Sequence, residues 1–255
     1  MAPRSKTRKP LRAAPDEGAL ERIAARRMPA AGDGRSLAEV ACDEIRRAIR
    51  EGRVPTGAHL TEMELAGWLG MSRTPVRDAM RRLESEGLLL NQPFRGALVM
   101  RLDVEDMRQM FAVRELREPA AAAACALRAT DSEITVLREV LRREAEVLGN
   151  PAALIQLNRQ FHDLILEAAR NQFLKKAIAA VYALIPLLGD SNLLDEPHAR
   201  AAHLQHLAIL EAIEARDAAR AELLARSHVS HSLKCRLARI EGEGGMRGQS
   251  AKNMV

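Results

Sequence analysis

The chain has 255 residues, 47% of them hydrophobic, and a formal net charge of +5, enough to bury a core and more comfortable as two domains than as one. It contains no run of eighteen apolar residues, and its basic N-terminus lacks a following apolar core, so neither a membrane span nor a secretory leader is expected and the expected compartment is the cytoplasm. Cys42, Cys125 and Cys235 are odd in number and far apart, which argues against a disulfide framework or a CxxC zinc clip and leaves reduced core thiols as the expectation.

The excess charge lies at one end. Residues 1–35 hold nine Lys or Arg against four Asp or Glu, mixed with Pro and Gly, and are expected to be a disordered basic tail. Either it is simply solvated, or it is an arm adding sequence-independent attraction to phosphate. Ser36 to Glu39 then has the S-x-x-E form of a capping box, and Val40, Ala41, Ile45, Ala48 and Ile49 follow at helical spacing. Gly52, Pro55 and Gly57 end that helix. Leu65 and Leu69 mark a second one broken by Gly70, and Ser72 or Thr74 can cap a third with Pro75 in its first turn. Val76, Ala79, Met80 and Leu83 form one apolar stripe of that third helix, off which lie Arg73, Arg77, Arg81 and Arg82. Strands at Leu88–Leu90 and Ala97–Met100 flank Gln92–Gly96. Two short helices, a tight turn and a glycine-bearing hairpin make a winged helix-turn-helix over residues 36–101, with the first turn of its third helix facing DNA. Trp68 occupies an often polar position, consistent with a dimer contact or with partial exposure.

From Asp103 onward the sequence is rich in Ala, Leu, Glu and Arg without a strand pattern. Helices are predicted at about 104–128, 132–148, 152–170, 172–188, 199–215 and 218–239. Thr130 to Glu133 is another capping box, Gly149, Asn150 and Pro151 mark a stop and restart, and Gly189 to Pro197 is the longest internal loop. The fold class is therefore mainly α: an N-terminal winged helix-turn-helix and a C-terminal all-α bundle over 103–240, followed by a flexible tail over 241–255.

Six of the seven histidines fall between residues 162 and 231. Asn158 and His162 share a helix face, and His206 and His228 lie on the last two predicted helices. Two readings stay open on spacing alone: three imidazoles and an oxygen donor converging on a metal, or hydrogen-bonded histidines at helix boundaries. His203 and His231 are expected to face solvent rather than support such a site, and His59 and His198 carry no signal. The chain has no HExxH, Gly-rich phosphate loop or GxSxG, which leaves a metal-dependent hydrolase as a distant alternative to a non-enzyme.

The segment LTEMELAGWLGMSRTPVRDAMRRLESEGLL with the hairpin after it closely resembles the N-terminal domain of GntR-type bacterial transcription regulators. FAVRELREPAAAAACA, NRQFHDLILEAARN and HLAILEAIEARDAARAELLARSHV resemble the FadR branch of that family, with its helical FCD effector domain; together the matches span roughly residues 36–235. The resemblance implies DNA contacts from Ser72, Arg73, Thr74, Arg77, Arg95 and Gly96. Arginine can hold guanine bidentately, and the hydroxyls can reach phosphate. Met63 stands where some members have arginine, which leaves Arg73 as the expected base reader. The resemblance further implies a divalent metal, zinc first, on Asn158, His162, His206 and His228, with Asn158 replacing the usual Asp and bringing no charge. A small carboxylate effector would dock at the metal, with Arg114 either pairing with it or bridging to Glu118. The implied assembly is a homodimer on a palindromic double-stranded operator, acting as a repressor. A metal-free FCD regulator of a larger organic ligand, or a sensor of the metal itself, are the alternatives.

Overall fold

The computed structural model describes residues 34–252 apart from 94, 189 and 190, with side chains to residue 241. The expected basic tail lies outside the described residues apart from its last two positions. Two compact units are present: one comprises residues up to Val104 with the stretch Tyr182–Gly189, the other Glu105–Val181 and Asp190 onward.

In the first unit, α1 (Leu37–Arg50) starts at the Ser36–Glu39 capping box, whose two reciprocal bonds satisfy N–H groups the helix cannot satisfy itself. Its five stripe residues are all buried. A two-residue strand β1 (His59–Leu60) precedes α2 (Glu62–Leu69), which opens on a second capping box from Thr61 to Glu64 and closes on Gly70 in the left-handed conformation. The third helix, α3 (Arg73–Ser85), buries Val76, Ala79, Met80 and Leu83 as the spacing predicts. Ser72 is its N-cap by position, but its side chain makes no capping bond. The hairpin strands are β2 (Leu89–Gln92) and β3 (Gly96–Val99), one or two residues from the expected ranges, and β3 sits centrally in an antiparallel sheet of order β1-β3-β2. β1 escaped prediction because two residues carry no alternation. Trp68 is neither partly exposed nor free for a partner: it is 7% exposed, with the Arg53 guanidinium 5.7 Å from its ring centre.

The second unit is helical: α4 (Val104–Arg128), α5 (Asp131–Glu146), α6 (Pro151–Ala168), α7 (Gln172–Leu184), α8 (Glu196–Glu214) and α9 (Ala218–Lys252). Thr130 and Asn150 cap α5 and α6 as expected. Pro119 lies inside α4 and cannot donate to the Glu115 carbonyl, an acceptor that Arg226 of α9 takes at 2.9 Å. Three expectations change. The domain expected to be continuous over 103–240 gives up the end of α7 and the 3-10 turn Ile185–Leu188 to the first unit, where Leu187 and Leu188 are buried and the turn meets α1. The longest loop is shorter than expected, holding a 3-10 turn at Asn192–Leu194 before α8 begins at Glu196. Finally, α9 continues as helix to Lys252, past 239 and into the stretch expected to be a flexible tail, because extending a nucleated helix adds one hydrogen bond per residue at no new nucleation cost. Cys42 and Cys125 are buried, as expected of core thiols, and Cys235 is half-buried.

Candidate functional site

The first turn of α3 is open. Ser72, Arg73, Thr74 and Arg77 are exposed, and the unused Ser72 hydroxyl lies beside the free backbone N–H groups of the helix start. Arg73 and Arg77 are braced by a residue that sequence reasoning passed over. Glu62, at the start of α2, accepts from Arg77 Nε at 2.7 Å and Nη2 at 2.9 Å, and from Arg73 Nη2 at 3.2 Å. The two hydrogen bonds from Arg77, joined by the one from Arg73, pull its carboxyl down to about 2. An acid eleven and fifteen residues before two arginines carries no local pattern, so only the fold reveals the bridge. Arg95 is exposed in the turn of the hairpin. Gly96 has φ +88°, and a Cβ there would lie 2.3 Å from the Leu60 carbonyl oxygen. Its need for glycine comes from the close approach of β1, whatever it does toward DNA. Met63 is 72% exposed on α2 and offers no charge at the position noted above.

In the helical unit, α6, α8 and α9 bring His162, His206 and His228 together, each with a ring nitrogen within 4.8 Å of the others. Ring centres are 5.3 Å apart for His162–His206, 4.7 Å for His206–His228 and 5.4 Å for His162–His228. Asn158, half-buried, stands one turn before His162 on the same helix. Each imidazole is oriented from behind. His206 Nδ1 lies 3.2 Å from both oxygens of Glu144, His228 donates from Nδ1 to Gln205 Oε1 at 2.8 Å, and His162 Nδ1 lies 3.5 Å from Glu118 Oε2. His206 is fully buried, and its Nε2 has no hydrogen-bond partner. An unpartnered buried nitrogen among imidazoles is the feature that fits a metal, since otherwise its desolvation goes uncompensated.

The electrostatics favour ligation as well. Burial lowers His162 to about 4 against an opposing pull from Glu118, and burial with the neighbouring imidazoles lowers His228 well below its ordinary value. Both rings are therefore neutral near pH 7, the form that binds metal. Burial pushes the Glu144 carboxyl up, but His206 and His203 outweigh it and hold the group below its ordinary value. His203 corrects an expectation: instead of facing solvent it is 9% exposed and donates to Glu144 at 2.8 Å. His231 is half-buried, 3.4 Å from Cys235 Sγ. Arg114 bridges to Glu118, with Nε 2.5 Å from Oε1; the pair lies within α4 and is buried, rather than on the surface or between helices. The Arg114 charge is felt at both His162 and His228. Glu144 and Gln205 had no sequence signal, because their partners lie 62 and 23 residues away.

The family model for bacterial regulatory proteins of the gntR family matches residues 37–99, and that for the FCD domain matches residues 109–231. The chain is 32% identical over 194 residues to a probable D-xylose utilization operon transcriptional repressor of Paenarthrobacter nicotinovorans, covering 74% of this chain and 83% of that one. It is 32% identical over 155 residues to the Nta operon transcriptional regulator of Aminobacter aminovorans, covering 60% and 72%. Among solved structures, E. coli McbR/YncC shares the fold with a TM-score of 0.68 at 21% identity, over 82% of this chain and 99% of that one. No helix among the described residues is long and apolar enough to cross a membrane.

Proposed function

Because this chain belongs to the gntR family of bacterial regulatory proteins and is a DNA-binding transcriptional regulator with an FCD domain, we propose that it is a metal-dependent repressor. It works in the cytoplasm as a homodimer on a palindromic operator, and a small carboxylate docked at the metal controls its release. Ser72, Arg73, Thr74, Arg77, Arg95 and Gly96 meet the DNA, with Arg73 reading a base. Asn158, His162, His206 and His228 hold the ion, with zinc favoured by imidazole-rich ligation. A bound divalent ion supplies a Lewis-acidic docking point for a carboxylate, and Arg114 adds positive charge beside it. The observation that carries this reading is the buried, unpartnered Nε2 of His206 among three converging imidazoles.

Release from DNA requires that the effector bind the DNA-free conformation more tightly, since equal affinity for both states shifts nothing. The test is fluorescence anisotropy of a duplex that the metal-loaded chain selects from a random pool, read while a panel of small carboxylates is added. One or more should release the wild-type protein and leave His206→Ala unresponsive. Arg73→Ala should lose about 1 to 3 kcal/mol of affinity for that duplex. A normal response in His206→Ala would overturn the metal site, and intact sequence preference in Arg73→Ala would overturn its reading role.

A further inference from the structure

We infer that Glu144 is a positioning residue for the metal site and supplies, from behind His206, the negative charge that Asn158 does not bring; this rests on the metal reading above. Glu144 is 1% exposed, with Oε2 2.8 Å from His203 Nδ1 and both oxygens 3.2 Å from His206 Nδ1. An ionised carboxylate only accepts hydrogen bonds, so each Nδ1 carries the proton it donates. On His206 that fixes the tautomer and leaves Nε2 as a bare lone pair, the same atom that is buried without a partner beside His162 and His228. This is the carboxylate–histidine–metal arrangement, in which the outer acid aims the ring and raises its basicity.

The charge on Glu144 lacks a local justification. Glu144 sits in the last turn of α5, where the helix dipole disfavours an anion. Among the described residues its ion-pair partners are His203 and His206, with no Lys or Arg. Glu118, the other buried acid beside the cluster, is matched by Arg114. Three neutral imidazoles and an amide would leave the charge of a divalent ion uncompensated among its ligands. A cation on the far side of His206 and an acid on its near side each answer the other's missing partner. His203, the second donor to Glu144, holds the carboxylate in place.

The test is metal affinity of the full chain, stripped with a chelator and then titrated with Zn²⁺ against a chromophoric competitor and with Co²⁺ for its visible absorption. Glu144→Gln should bind Zn²⁺ ten- to a hundredfold more weakly than wild type. Asn158→Asp added to Glu144→Gln should restore much of the loss by moving the charge to a ligand. If Glu144→Gln does not fold, His203→Ala, which removes the second donor to the carboxylate, gives the same readout: a severalfold loss supports the inference and none overturns it. Wild-type affinity in Glu144→Gln overturns this inference and leaves the metal reading standing, whereas a wild-type chain that takes neither Zn²⁺ nor Co²⁺ overturns both.

Discussion

Replacing Glu62 with Gln should make this protein a tighter but less discriminating DNA binder. The carboxylate holds Arg77 by two bonds and Arg73 by one, with side chains 25%, 46% and 64% exposed respectively. Ion pairs that open to water contribute about 0 to 1 kcal/mol, so folding stability should change by less than about 1 kcal/mol. The consequence falls on DNA. Removing one negative charge and freeing the Arg77 guanidinium for phosphate should steepen the slope of log affinity against log salt by up to about 1. Loss of the bracing should also cost about 1 to 3 kcal/mol of discrimination for a base contact that is no longer aimed. Anisotropy titrations at several salt concentrations, on a duplex selected by the wild-type chain and on a scrambled control, separate the two effects. The control should bind more tightly and the ratio of selected to control should fall. An unchanged ratio and slope would mean that Glu62 neither aims nor screens these arginines.

Gly96→Ala should destabilise the first unit by at least about 1 to 3 kcal/mol, because alanine is strained at φ +88° and its Cβ would overlap the Leu60 carbonyl; thermal unfolding checks this, and an unshifted transition would refute it. The metal-free protein should lose stability as pH falls from about 6.5 toward 4. His162 and His228 titrate below their ordinary value of 6.5 when folded, so the unfolded chain binds protons that the folded chain refuses in that window. Denaturant midpoints of chelator-treated protein at pH 7.5 and 5 read this directly, and equal midpoints would refute it.

Much of this was legible in the residues. The capping boxes at Ser36 and Thr130 and the stripe through Val76, Ala79, Met80 and Leu83 are local patterns set by helical periodicity, and the helices begin and pack where those patterns put them. The histidine-rich region also emerged, since an unusual residue type concentrated in one stretch survives the loss of three-dimensional information, and the family resemblance singled out His162, His206 and His228 within it. What stayed hidden depends on contacts between distant segments. Glu144 looks like any other acid on a charged helix until α5 packs on α8, and Glu62 shows its role only once α2 meets α3. His203 was misjudged for the same reason: the side of α8 it occupies gives no hint that a buried acid lies opposite.

Whether three histidines hold a metal is decided by elemental analysis of purified wild-type protein beside His206→Ala and His228→Ala, at known protein concentration. Near one divalent ion per chain is expected in wild type, with loss of it in both variants. Wild-type protein that holds no metal even after reconstitution, or variants that retain a full complement, would contradict it.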